Sequence, residues 1–384
     1  METIQNFDDI RPFYDSEIGA ELATISREPQ LLFSLKQIYP KKTTRSIIKV
    51  LENFQTTKDF QATIIKALLR KLAAKTTTGL SISGLEKIAN RQNRLFISNH
   101  RDIILDSAFL NVLLLENDWE TCEIAIGDNL FIAPWVEKLV RINKSIVVKR
   151  NLPVRQILEA SAKLSAYIRY SITELKNSIW IAQREGRAKN SDDRTQEAVL
   201  KMFNISGKGT VLENMRQLNI TPVSISYEYD PCDYLKAKEF QQKRDNPDFQ
   251  KSPEDDRKSM LTGLWGWKGR VHYEVSDIEA EIGSIALGNK NEQFTALAQL
   301  IDKHIHRNYK IYPVNIIAFD LLQNNNSAGK YTLTEKAEFE KYLQNRIDKI
   351  DLENKDTDFL RGKILEMYAN PYINHIASLQ ALHN

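Results

Sequence analysis

Cysteine is nearly missing from this chain: the two present, Cys122 and Cys232, lie far apart and match no metal or redox spacing. A disulfide framework is therefore excluded, and small core residues or free thiols in a reducing compartment are expected. No uninterrupted apolar stretch approaches ~20 residues, so no bilayer span is expected. Met1 to Glu17 mixes acids with a proline around no apolar centre, unlike a secretory signal. Net charge is only +3, too small for a general polyanion binder. No internal repeat is visible. Gly79-Leu80-Ser81-Ile82-Ser83-Gly84 lacks the spacing of a nucleophile elbow, and Gly207-Lys208-Gly209-Thr210 lacks that of a phosphate-binding loop, so both are expected to be turns. His304 and His306, two apart in a helical stretch, face different directions and make a poor metal pair, so no metal is implied.

What the chain does carry is an alternation. Asp15 to about Lys75 is rich in Leu, Ile, Ala, Lys and Glu at helical spacing, broken at Pro29 and around Pro40-Lys41-Lys42. After Thr76-Thr77-Thr78-Gly79, strand-like runs at Arg94–Ser98, Cys122–Ile126, Ser145–Lys149, Asn177–Ala182, Ile220–Tyr227 and Arg270–Ser276 alternate with helix-like ones. That pattern predicts an α/β core. Lys236 to Arg257 reads as an insertion or surface helix pair, Asn324 to Gly329 as a linker, and Leu333 to Asn384 as further helices. The expected division is a helical region over 1–78, an α/β domain over 79–323 and a helical appendage over 330–384. From Trp135 to Lys189, 12 Lys and Arg face 4 Glu and no Asp, a site-sized basic region. No recognised nucleic-acid fold or stacking-aromatic pattern accompanies it, so nucleic acid is not an expected partner.

The stretch Asn99-His100-Arg101-Asp102-Ile103-Ile104-Leu105-Asp106 follows the apolar run Arg94–Ser98 and precedes a helix expected from Asp102 to Glu116. A histidine at a strand-to-helix turn, with a carboxylate about one helical turn on, suits a general base and its orienting acid. His100 and Asp106 are the candidate pair. Asp102 shares a helix face with Asp106 and is the reserve, or the cap of the helix amino end.

Four ordered segments resemble the glycerol-3-phosphate and 1-acylglycerol-3-phosphate acyltransferase superfamily. Asn99 to Asp106 is similar to its His-x4-Asp block, although Asp106 stands sixth after the histidine and Leu105 fifth. Gly127-Asp128-Asn129-Leu130 through Val148-Lys149-Arg150 resembles the second block. Arg184-Glu185-Gly186-Arg187 resembles the Glu-Gly-x-Arg block with one residue missing, and Thr221-Pro222-Val223-Ser224-Ile225 the Val-Pro strand. The resemblance covers roughly Ser81 to Ser276. It implies a mixed sheet flanked by helices and an O-acyltransferase of phospholipid biosynthesis. The acyl chain would pass from acyl-CoA or acyl-ACP, with no further cofactor, to a hydroxyl of glycerol-3-phosphate or 1-acylglycerol-3-phosphate. Tyr227-Glu228 suggests the first acceptor and the chain length the second. A lyso amino-acid lipid as acceptor, a catalytically silent lipid-binding scaffold and a hydrolase are the alternatives.

In the implied chemistry His100 takes the hydroxyl proton and Asp106 fixes its tautomer, with no protein nucleophile. A helix amino end near Arg101 could supply oxyanion donors. Arg150 and Arg187, with Lys149 and Arg184 in reserve, would meet the acceptor phosphate. Glu185 would accept from an acceptor hydroxyl or hold the arginines. Gly127 would admit close backbone approach, Asp128 or Asn129 would line the pocket, and Gly186 belongs to the same block as Arg187. Such an enzyme is expected in the cytoplasm, peripheral on the inner membrane face. Two membrane contacts are offered, a basic amphipathic stretch over Lys58–Lys75 and the apolar run Phe131-Ile132-Ala133-Pro134-Trp135. Packing into the core is the competing expectation for both.

Overall fold

Short runs of branched and aromatic residues build the centre of the sheet, because strands covered on both faces need apolar side chains at successive positions. The computed structural model describes residues 6–88, 93–131, 133–150, 152–286, 288–325, 327 and 329–380. Its strands are β1 (Gly79–Ser83), β2 (Leu95–Ser98), β3 (Glu123–Gly127), β4 (Ser145–Val148), β5 (Ile179–Ala182), β6 (Ile220–Tyr227) and β7 (Arg270–Val275). They form one sheet in the order β1-β7-β6-β2-β5-β3-β4. Strands β2 to β6 are mutually parallel, β7 runs antiparallel to β6, and β1 runs parallel to β7. The carboxyl ends of five strands therefore share one edge with the amino ends of β1 and β7, and β2 lies in the middle.

The pleat sends alternate residues to two cores. Leu95, Ile97, Ile146, Ile179 and Ile220 pack on one face with helices Val154–Thr173, Glu197–Asn204, Val211–Gln217 and Lys290–Arg307. Phe96, Ile124, Trp180, Val223, Tyr273 and Val275 pack on the other with helices Lys66–Thr76 and Leu105–Glu116.

The expected strands all occur, and one more besides. Gly79–Ser83, expected to turn, is β1, pairing with β7 from Gly79↔Arg270 to Ser83↔Glu274. An edge strand with half-exposed side chains tolerates the serines that made it look like a turn. The Gly207 segment is a turn between helices, as expected. Asn324 to Gly329 follows a helix closed by Asn324 in left-handed geometry (φ 49°); Asn326 and Ala328 lie outside the described residues.

The amino-terminal helices Asp15–Ile25, Pro29–Ile38 and Thr44–Glu52 share a core with Phe60, Ile64 and Ile142. In Lys58–Lys75, a π-helical turn at Gln61–Ile65 leads into helix Lys66–Thr76. Ile64, Leu69 and Leu72 are buried, and Ile65 packs on both neighbouring cores. That apolar face covers the sheet, so it is not the membrane contact offered from sequence. Phe131 and Trp135 likewise pack against cores; Ile132 lies outside the described residues.

At the other end, helices Pro313–Gln323, Leu333–Asp348 and Thr357–Gln380 form one apolar cluster that also takes Ala237 from helix Asp233–Asp245. Buried Asp233 fastens it, accepting from Arg346 Nε and from the hydroxyls of Tyr342 (2.7 Å) and Tyr368 (2.8 Å). Residues 381–384 are outside the described residues.

Candidate functional site

At the centre of the sheet's carboxyl edge, β2 ends at Ser98 and the helix that follows begins at Leu105, three residues later than expected. The turn between them absorbs the extra residue that separates His100 from Asp106. Asp106 then sits in the first helical turn, fully buried, and its Oδ2 accepts three hydrogen bonds. These come from His100 Nδ1 (2.8 Å), the Arg101 N–H (2.6 Å) and the Asp102 N–H (3.0 Å). Because a carboxylate can accept only, His100 carries its proton on Nδ1 and presents Nε2 as the basic nitrogen. The imidazole stands edge-on to Trp180 at 5.9 Å, and the Trp180 indole donates to Ser98 Oγ at 3.0 Å.

Asp102 does a different job. Its Oδ1 accepts from the N–H groups of Ile104 (2.9 Å) and Leu105 (2.8 Å), capping the helix. Burial, then the neighbouring Asp106 charge, push its carboxyl up. The two turn N–H groups expected to serve an oxyanion are taken up by Asp106, so any oxyanion donor must come from elsewhere.

Residues distant in sequence hold this turn. Asn99 bridges to β6, donating to Ile225 O (2.9 Å) and accepting from Ile225 N (2.8 Å), which continues the ladder past Ser98. The Arg101 guanidinium points away from His100 into the protein, where Nη2 meets fully buried Asp193 at 2.7 Å. The Tyr309 hydroxyl donates to the same Asp193 oxygen, and His306 Nε2 bonds the Asp193 carbonyl at 2.6 Å. Burial works against the Arg101 charge, yet Asp193 and its neighbours leave it firmly protonated. Its Nη1 is buried with no hydrogen-bond partner among the described residues. It borders a cavity of about 20 Å³ shared with Asp230, Tyr309 and Tyr368, large enough for one water.

The remaining predicted residues come from the loops after β3, β4 and β5, and the fold brings them to the same edge. Asp128 Oδ1 accepts from the Arg150 N–H (3.0 Å), and Arg150 Nη1 pairs with exposed Glu185 at 2.5 Å. Gly127 lets two side chains close in: a Cβ would lie 2.4 Å from Asn129 Oδ1 and 3.3 Å from Arg150 Cγ, so both would have to shift. Gly186, at φ +67°, turns the chain so that Glu185 and Arg187 diverge. Arg184 Nε and Arg187 Nη1 are buried without a hydrogen-bond partner among the described residues. Burial opposes the Arg187 charge, but Cys232, Asp230 and Asp102 raise it above the ordinary value. Lys149 is exposed at the rim.

Sequence reasoning missed Asn99 as a bridge, Asp193, Tyr309, Trp180 and Gly263. Gly263 passes so close to Asp102 that a Cβ would lie 2.1 Å from its Oδ2. Among the described residues no group of three or more His, Cys, Asp or Glu could hold a metal ion. His304 and His306 point apart, to Glu281 and to Asp193 O.

The arrangement offers a single-proton base on a buried carboxylate at the sheet's carboxyl edge, where the loops bearing Arg150, Arg184 and Arg187 also begin. Compared with known families, residues 79–227 match the acyltransferase family model. No curated protein matches the chain.

Proposed function

We propose, from the match of residues 79–227 to the acyltransferase family model, that the protein moves a fatty acyl chain from an acyl-CoA or acyl-ACP thioester to a hydroxyl of glycerol-3-phosphate or 1-acylglycerol-3-phosphate. The observation that carries this is the His100–Asp106 pair: a 2.8 Å bond to a fully buried carboxylate that two backbone N–H groups also hold.

His100 Nε2 takes the proton of the acceptor hydroxyl as its oxygen attacks the thioester carbonyl. The C–S bond then breaks, and the thiolate leaves with the proton His100 held. Asp106 stabilises the imidazolium formed in between. The part-exposed Arg150 guanidinium suits the planar recognition of a phosphate on the acceptor, with Arg184 and Arg187 on the loop after the next strand. Glu185 orients Arg150. The transferred chain is hydrophobic, and among the described residues no helix is long and apolar enough to cross a membrane. A peripheral position on the inner membrane face fits such an enzyme.

The test is thiol release from palmitoyl-CoA and palmitoyl-ACP with glycerol-3-phosphate, 1-acylglycerol-3-phosphate or no acceptor. General-base assistance is worth about 10²- to 10⁴-fold, so His100→Ala is expected to lower acceptor-dependent release by that factor at unchanged melting temperature. Acceptor-independent release would point instead to a hydrolase. No release with either donor would point to a scaffold or to another lipid acceptor.

A further inference from the structure

The carboxyl edge carries two apolar surfaces that the core does not use, one on each side of His100. On the β4 side, helix Val154–Thr173 packs on the sheet through Leu164, Ile168 and Ile172. Its apolar stripe continues beyond the sheet through Val154, Ile157 and Leu158, which share a face at i, i+3 and i+4. These three are exposed, Val154 by 84% and Leu158 by 68%. On the opposite side, helix Pro253–Trp265 returns to the edge just before β7, and there Leu261, Trp265 (58%) and Trp267 (48%) are exposed. Topology places both at one edge: Val154 lies six residues after the end of β4, and Trp267 three before the start of β7, whose Val271 pairs with the last residue of β6.

Basic groups accompany each surface. Lys149, Arg150 and Arg155 adjoin the aliphatic one, against Glu159 and the Glu185 already paired with Arg150. Lys258 and Lys75 belong to the helices that end beside the tryptophans. The acids Glu254, Asp255 and Asp256 fall in the first turn of helix Pro253–Trp265, roughly 15 Å from its last residue at 1.5 Å per residue.

We propose that these two surfaces are a pair of anchors that seat the sheet's carboxyl edge on a bilayer bearing anionic headgroups, with His100 facing the lipid between them. The proposal rests on the acyl-transfer reading only for its purpose, delivery of a long-chain substrate. Indole rings and aliphatic side chains enter the interfacial zone, and the flanking cations meet lipid phosphates.

The experiment is flotation of the full chain with vesicles of phosphatidylcholine alone or mixed with phosphatidylglycerol, at low and physiological salt. Tryptophan quenching by brominated lipid is read alongside. Expected are binding to the mixed vesicles that weakens with salt, quenching, and at least about a tenfold weaker partition for Val154→Ser/Leu158→Ser and for Trp265→Ala/Trp267→Ala. Thiol release from a short-chain, water-soluble thioester should stay as in the native protein. Absence of vesicle binding by the native chain, or native-like binding by both variants, overturns the proposal. So does a concentration-dependent dimer abolished by the tryptophan variant, or capture by acyl carrier protein without vesicle binding. Vesicle binding without any thioester turnover leaves the anchors standing and removes the acyl-transfer reading.

Discussion

Replacing Asp193 by asparagine leaves shape almost unchanged and removes one buried charge, so its cost can be worked out from the Arg101 surroundings. Arg101 is 7% exposed and Asp193 is not exposed at all, and their 2.7 Å contact is charge to charge. Removing one member of such a pair strands the other, typically at about 3–5 kcal/mol. Asp230 and Asp106 still face Arg101, and the asparagine oxygen still accepts from it or from Tyr309, which favours the lower end. At roughly 1.2 °C per kcal/mol for a chain of this size, the melting temperature should fall by about 4 °C. The Arg101 N–H bonds Asp106, so the loss should also reach the base: kcat is expected to fall more than KM rises. Adding Arg101→Met removes the stranded charge and should restore most of the stability but not the kcat. Calorimetry and thiol-release kinetics read both. A melting temperature within about 1 °C of native for Asp193→Asn would refute the buried-charge argument, as would a double variant less stable than the single one.

Two further outcomes follow from close packing and from burial. Gly263→Ala puts a methyl 2.1 Å from Asp102 Oδ2. An overpacking cost of about 1–3 kcal/mol is expected, with reduced thiol release because the capped turn shifts; unchanged melting and turnover would contradict it. Burial raises the Glu123 carboxyl to about 7 despite donors from Tyr167 and Asn177. A raised acid favours the fold while protonated, so its contribution is complete below the unfolded value near 4.5 and is lost as pH rises through about 7. Glu123→Gln should therefore gain stability over native between pH 5 and pH 8, by up to about 3 kcal/mol, and a pH-independent difference in urea midpoints would refute this.

What the sequence reveals of this site is what lies close together along the chain. His100 and Asp106 are legible because a strand, a turn and a helix start within a dozen residues, and local spacing limits how they can meet. The sixth-place aspartate is ambiguous from spacing alone, because only a turn that runs on to Leu105 gives Asp102 the helix amino end and Asp106 the imidazole. Asp193 and Tyr309 carry no local mark. An aspartate in the loop Lys189-Asn190-Ser191-Asp192-Asp193 looks like any solvated loop acid, and only the packing of helix Lys290–Arg307 brings Tyr309 over it. Core strands were readable from apolar runs, whereas β1, half-exposed at an edge, alternates like a turn. The amphipathic stretch Lys58–Lys75 shows the converse: an apolar helical face is the same signal whether it meets lipid or a sheet, and here it meets the sheet.

The loop after β5 is held from far downstream. Asn370 donates to Asn190 O (2.8 Å), and Asn374 bonds both Asp192 (3.1 Å) and Arg194 (3.1 Å). The segment that carries Arg184, Arg187 and Asp193 thus acquires these fastenings only when the last helix is in place. On the ribosome, the strands and the His100 turn emerge well before residues 370–374, so the loop after β5 first has only its hold on Arg101 and Tyr309 through Asp193 and gains the two asparagine bonds later. A product ending before Asn370 would display the His100–Asp106 pair beside a loop that keeps its hold at Asp193 but lacks these two fastenings.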